Sequence, residues 1–380
     1  MLSRLRCGIV LCERRALSMA VKHSVCGAPQ SVLKMETIDS IGKVGPTQVA
    51  LKMLAAPINP SDLNMIEGVY GIKAKLPAVP GNEGVALVKS VGKNVTSLKE
   101  GDWVIPHGGG FGTWREEVLV EGDDVDKIPN DIPAAYAAVL GVNPSTAYRL
   151  LRDFGNLQPG DYVIQNAANS MVGLAVVQLA NLMGLKTINI VRSDRPDVYT
   201  ELRLLDNLGG MLNVPSDYVG THAFRDIIAD LDRPVRLALN AVGGRSAEDM
   251  ARVLQHGGTM VTYGGMSKRP VELSQEILNY KQLDMRGFWM TEWVNRSSRE
   301  DRLVMLEDLA GWVKQEQLSL FLELHDFDDF HYALERSLLP NRRRKVVLNM
   351  DYPDRMAQHD ELAKDKEENY SMFDVDPLMH

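Results

Sequence analysis

The sequence predicts an α/β protein, with a compact β-rich unit followed by a doubly wound parallel sheet. From Gly27 to about Ala147, short runs of strand-forming residues are punctuated by Gly and Pro, which is the pattern of a compact β unit. From about Tyr148 the rhythm changes to strand, helix, strand, which calls for parallel strands joined by helical crossovers. At the first corner of that second rhythm, the β-like run Asp161-Tyr-Val-Ile-Gln165 passes through Asn166-Ala-Ala-Asn-Ser-Met-Val-Gly173 into an apolar helix, Val172 to Met183.

Taken in order, the first unit shows strands at Gln48–Met53, Gly84–Ser90 and Asp102–Ile105. The second shows six, at Tyr162–Gln165, Thr187–Val191, Met211–Val214, Arg236–Asn240, Thr259–Tyr263 and Asp284–Phe288. Beyond Trp293 a helix is expected over Arg299 to Lys314, and Leu318 to Met350 is expected to return to the first unit. No internal repeat or low-complexity run interrupts this plan.

A chain of 380 residues can support two cores. The net charge of −8 argues against a protein held on nucleic-acid phosphates. No apolar run reaches membrane-spanning length. Cys7, Cys12 and Cys26 form neither a disulfide framework nor a zinc spacing. Residues 1–22 set Arg4, Arg6, Arg14, Arg15 and Lys22 against one acid, Glu13, with Leu2, Leu5, Ile9 and Cys12 at helical spacing. That basic, acid-poor start is expected to be a mitochondrial transit peptide. Residues 351–380 read as a polar C-terminal tail.

A strand that turns directly into a helix leaves free backbone N–H groups at the positive end of the helix, where a dinucleotide pyrophosphate can sit. Asn169, Ser170, Met171 and Val172 would face it, although Met171 interrupts the usual glycine pattern. The next strand ends in Arg192, Ser193, Asp194 and Arg195. Guanidinium groups suit a 2′-phosphate, so NADPH is favoured over NADH, while Asp194 can also accept from a ribose hydroxyl. Later strand ends carry Ala241-Val-Gly-Gly244, then Gly264, Gly265 and Met266 after Tyr263, then Met290 and Thr291 after Phe288 and Trp289. Glycines at successive strand ends let backbone approach a cofactor.

The phrases Ile58-Asn-Pro-Ser-Asp-Leu-Asn64, Leu76-Pro-Ala-Val-Pro-Gly-Asn-Glu-Gly84, Gly101-Asp-Trp-Val-Ile-Pro106, Gly141-Val-Asn-Pro-Ser-Thr-Ala-Tyr148, Thr259-Met-Val-Thr-Tyr-Gly-Gly-Met266 and Arg286-Gly-Phe-Trp289 act as a set. Together they resemble the mitochondrial trans-2-enoyl-CoA reductases, a zinc-free branch of the medium-chain dehydrogenase/reductase superfamily. The resemblance implies a GroES-like catalytic domain at 23–147 and 292–350, and a Rossmann cofactor domain at 148–291. It implies that Tyr70 donates a proton, that Phe288 and Trp289 flank nicotinamide and substrate, and that Asn143 and Lys345 contact the cofactor. Zinc enzymes of the superfamily carry Cys and Gly-His-Glu ligands, whereas Asn59 and Asn82 stand at the corresponding places here. Neutral amides are poor zinc ligands, so no metal is expected. The implied reaction adds hydride to Cβ of an enoyl-CoA or enoyl-acyl-carrier-protein thioester and a proton to Cα, in mitochondrial fatty acid synthesis. Arg342, Arg343 and Arg344 would meet CoA phosphates or an acidic carrier protein, or else form a solvated face. A homodimer is implied as well. Two other readings stand beside this one: a quinone-type NADPH reductase, and a non-catalytic NADPH-binding partner protein, motivated by Met171.

Overall fold

The computed structural model describes residues 17–39 and 41–351. Residues 1–16 of the expected transit peptide and 352–380 of the expected tail lie outside the described residues. A small antiparallel pair opens it, β1 (Leu17–Lys22) on β2 (Lys34–Asp39). Thus Leu17–Lys22, read from sequence as the end of a leader, is a strand of the folded protein, with Ala20 and Val21 fully buried.

The β-rich domain contains β3 (Gln48–Pro57), β4 (Val85–Val91), β5 (Trp103–Pro106), β6 (Glu117–Glu121) and β7 (Val125–Ile128). The second domain contains β8 (Tyr162–Gln165), β9 (Lys186–Val191), β10 (Leu212–Pro215), β11 (Val235–Asn240), β12 (Leu254–Thr262) and β13 (Asp284–Gly287). The chain then returns as β14 (Leu322–Asp326) and β15 (Lys345–Asn349). β15 pairs antiparallel with β3, which gives the first domain a sheet of order β14-β15-β3-β4-β5-β7, with β6 also on β3.

The second sheet runs β10-β9-β8-β11-β12-β13, and every pair is parallel. Its order reverses between β8 and β11, the switch point at which doubly wound sheets open a ligand crevice. Side chains alternate across it as a strand period of two requires. Val163, Leu237 and Leu239 pack toward helices Asn143–Asp153, Met171–Leu182 and Arg299–Lys314, while Tyr162, Ile164 and Ala238 pack toward Phe224, Ala247 and Ile277.

Both domain junctions fall inside helices. The boundary drawn at 147/148 lies within Asn143–Asp153, and the one at 291/292 lies within Met290–Arg296. The apolar core is continuous there: Leu54, Val85 and Ile105 of the β domain share a cluster with Leu150, Val163 and Leu306. The cleft between the domains is therefore walled by packed helices rather than by a linker.

Candidate active site

The carboxyl ends of β8, β9, β11, β12 and β13 share one edge of the sheet, because all five strands are parallel. The corner after β8 is tight. Ala167 takes a left-handed φ of 49°, and Ser170 caps helix Met171–Leu182 by accepting from the Gly173 backbone N–H at 3.1 Å. A Cβ at Gly173 would lie 2.4 Å from the Ala168 carbonyl oxygen, so only glycine lets the helix approach its strand. Met171 is the first helical residue and its side chain packs against the main core. It has no positive φ, so the fold does not demand glycine there.

Two buried polar atoms expected at the cofactor have no hydrogen-bond partner among the described residues. Asn143 opens helix Asn143–Asp153, is 8% exposed, and its Oδ1 has no hydrogen-bond partner among the described residues. The buried Tyr263 hydroxyl lies beside Ser170 without a well-formed hydrogen bond, and burial pushes its pKa up. A buried polar atom without a partner is costly unless a ligand supplies one. The carboxamide and ribose of a nicotinamide nucleotide carry such groups. Gly265 has open space where a side chain would be, and Met266 is largely exposed. The residues present therefore fit a dinucleotide. By contrast the Met290 side chain is buried in the core, which leaves only its backbone for the cofactor.

Tyr70 and Trp289 meet across the cleft. Tyr70 follows helix Pro60–Glu67, which ends at Gly68 in a left-handed turn (φ 76°) that turns the chain toward the cleft. Trp289 precedes helix Met290–Arg296 at the end of β13. The Trp289 indole Nε1–H donates to the Tyr70 hydroxyl at 2.7 Å, and the rings stand edge to face with centroids 5.8 Å apart. An indole N–H can only donate, so the phenol accepts here and its own proton remains available to a third group. Thr291 is a second hydrogen-bonding neighbour of that hydroxyl. Partial burial raises the Tyr70 pKa above its ordinary value, so the phenol is neutral at pH 7. Phe288 packs edge to face on Phe154, with ring centroids 6.1 Å apart.

Below this loop lies a buried polar knot that the motifs did not foretell. The Lys345 ammonium donates to Asn59 Oδ1 at 2.5 Å, and Asn59 Nδ2 donates to Glu83 Oε2 at 2.8 Å. Glu83 Oε1 accepts from the Val142 N–H at 2.7 Å, next to Asn143. Asp62 accepts from the Asn59 N–H at 2.8 Å and from the Asn82 side chain at 2.6 Å. Burial raises the pKa of Glu83 and lowers that of Lys345, and it pushes Asp62 up to about 6. Lys345, expected at the cofactor, gives one of its three N–H groups to Asn59 here. Asn59 and Asn82 spend their amides on Glu83, Asp62 and Lys345, so an ammonium supplies the positive charge of this knot.

The loop after β9 carries the other expected residues. Arg192 pairs with Asp194 at 2.6 Å, and Ser193 Oγ lies 3.1 Å from Ser216 Oγ. Arg195 is nearly buried and holds Asp197 with two bonds, at 2.7 and 2.8 Å. Glu201, buried and with its pKa raised by that burial, lies between Arg195 and Arg343, with the Asn169 side chain nearby.

An α/β oxidoreductase with a β-rich catalytic domain is the class that this cleft and sheet define. Residues 45–130 match the family model of the alcohol dehydrogenase GroES-like domain, and residues 172–306 match that of the zinc-binding dehydrogenases. The chain is 42% identical over 346 residues to the mitochondrial enoyl-[acyl-carrier-protein] reductase of Dictyostelium discoideum, covering 90% of this chain and 97% of that protein. A solved structure of an Etr1p/NADP/crotonyl-CoA complex aligns with TM-score 0.81 at 31% identity, over 88% of this chain and 100% of that one. A mitochondrial 2-enoyl thioester reductase Etr1p/Etr2p heterodimer from Candida tropicalis aligns with TM-score 0.82 at 31% identity, over 88% and 100%. The chain belongs to the mitochondrial enoyl-[acyl-carrier-protein] reductase family.

Proposed function

We propose that this protein reduces trans-2-enoyl thioesters, carried on CoA or acyl carrier protein, to saturated acyl thioesters with NADPH in mitochondrial fatty acid synthesis. Bound NADPH supplies the hydride for Cβ. The electron pair of the double bond then moves toward the thioester carbonyl, and Tyr70 delivers its phenolic proton to Cα. Solvent reprotonates the phenolate, so the step balances as one hydride and one proton added across the double bond. Trp289 orients the phenol from the far wall, and Asn143 offers its free Oδ1 to the carboxamide that positions the ring. The phenol stays neutral until it gives up that proton, as a general acid working near pH 7 must.

The Tyr70–Trp289 contact carries this reading, because it brings a phenol with an uncommitted proton to the strand-end edge where a dinucleotide fits. NADPH oxidation in the presence of crotonyl-CoA, followed by absorbance, tests it; wild-type protein that oxidises no NADPH refutes it. We place the end of the leader before Leu17, because Leu17–Lys22 belongs to the folded domain. We also propose a homodimer. β13 is the last strand of its sheet and Met285 on it is 36% exposed; pairing with a second copy would cover that open edge. A monomer in sedimentation at micromolar concentration would contradict this.

A further inference from the structure

The adenosine ribose of a dinucleotide lies at the end of the second parallel strand, which here is β9, ending at Val191 with Arg192 next. Of the two arginines at that strand end, only one is free to meet a phosphate. Arg195 is 7% exposed and holds Asp197 with two bonds; it also donates to the Asn341 carbonyl at 3.2 Å and approaches Glu201 at 3.5 Å. Turning it toward a ligand would break both bonds to Asp197 and leave that carboxylate only the more distant Arg343. Arg192 has a side chain 60% exposed, paired with an exposed Asp194 and with the Asn341 side-chain oxygen.

A third guanidinium reaches the same place from the other domain. Arg343 sits on the loop between helix Phe330–Leu338 and β15, with its side chain 52% exposed. It holds Glu201 at 3.0 Å and lies 4.0 Å from Asp197. Glu201 in turn lies close to the Asn169 side chain of the corner after β8, so Arg343 stands one carboxylate away from the corner expected to hold the phosphates. Asn341 fastens this loop. It takes a left-handed φ of 59°, and its side-chain and main-chain oxygens accept from Arg192 and Arg195 respectively. When Arg343 releases Glu201, Arg195 still faces that carboxylate. Arg192, Arg195 and Arg343 thus face Asp194, Asp197 and Glu201 at this strand end, while Arg344 donates to the Leu322 carbonyl and Arg342 lies toward Glu323 and Lys345.

We infer that Arg343 is a specificity-determining residue that, with Arg192, binds the 2′-phosphate of the cofactor, while Arg195 positions the loop. This rests on the NADPH reading above and assigns that selectivity to a residue of the catalytic domain. The test is calorimetric titration of the full chain with NADPH, NADH and adenosine 2′,5′-bisphosphate, for wild type, Arg343→Ala and Arg343→Lys. Loss of a charge-assisted contact to phosphate should weaken NADPH and the bisphosphate about tenfold or more, leave NADH within about twofold, and be partly restored by lysine. Wild-type protein that binds NADH as tightly as NADPH would overturn the cofactor reading itself. A wild type that discriminates, with an Arg343→Ala variant that discriminates equally or loses both dinucleotides in parallel, would overturn only the Arg343 assignment.

Discussion

The two ends of the interdomain cleft are built from opposite materials. At the Tyr70 end the side chains that meet across the cleft are neutral, a phenol and an indole, and the Asp62–Asn59–Glu83–Lys345 knot is buried beneath them. At the β9 end the exposed groups are charged, with arginines from two domains facing Asp194, Asp197 and Glu201. A neutral wall suits charge that appears only during reaction, because it does not bind the resting substrate too tightly. A charged, half-exposed wall suits a phosphate that is permanently ionised. The comparison teaches that chemistry and cofactor choice are separable here, so each can be damaged alone.

The largest effect should come from Tyr70→Phe. It removes the proton for Cα but keeps the ring against Trp289, so kcat on crotonyl-CoA should fall about 10²- to 10⁴-fold, with the NADPH dissociation constant unchanged. Equal loss of both would mean that the two ends are not separable. Burial raises the Tyr70 pKa above its ordinary value, so its protonated form persists through neutrality. Its contribution to the rate should be flat across neutral pH and fall only above about pH 10, and an acid limb attributable to this phenol would contradict the assignment.

Lys345→Met tests the buried side of the same end. It takes away the ammonium whose charge favours the Glu83 carboxylate and leaves Asn59 Oδ1 without its donor. Leaving a buried carboxylate uncompensated is costly, whereas neutralising it as well is far milder. The single variant should therefore melt much lower than wild type, and Lys345→Met with Glu83→Gln should recover most of the loss. A single variant with unchanged melting would show that the knot is not balanced by this ammonium.

Asp62 gives a smaller effect with a defined sign. Its folded pKa of about 6 lies above the ordinary 3.8, so the native state holds a proton that the unfolded chain releases first. Stability owed to this group is intact below about pH 4 and is lost as pH rises through 6, by about 3 kcal/mol at 1.36 kcal/mol per unit. Denaturant titrations of wild type and Asp62→Asn from pH 4 to 7 should show the difference moving in favour of the variant as pH rises. A constant difference would place the carboxylate in a wetter site than the knot describes.

Much of the fold was legible because its signals are local. Helix Arg299–Lys314 and strand Tyr162–Gln165 have the limits read from the pattern, since capping and strand composition act over a few residues. The crossover rule was enough to imply a parallel sheet. The knot was not legible, because Lys345 and Asn59 are 286 residues apart in the chain and no local pattern couples them. The same holds for Glu201, an ordinary helix acid in the sequence that becomes the buried meeting point of Arg195 and Arg343. Buried polar pairs are a property of the closed cleft, and periodicity does not report them.

The corner after β8 belongs to both ends of the cleft, and it carries the smallest expected effect. The usual pattern puts glycine at position 171, but the close approach to the strand falls on Gly173, where an added Cβ would meet the Ala168 carbonyl. The Met171 side chain lies against the core and its backbone needs no positive φ. Met171→Gly should therefore cost about 0.5–1 kcal/mol of stability through helix propensity and lost packing, while NADPH affinity stays within about threefold. A large gain in affinity would show instead that the methionine narrows the groove. That result would revive a protein that holds nucleotide poorly, and the crotonyl-CoA rate of the same variant would then rise in step with its NADPH binding.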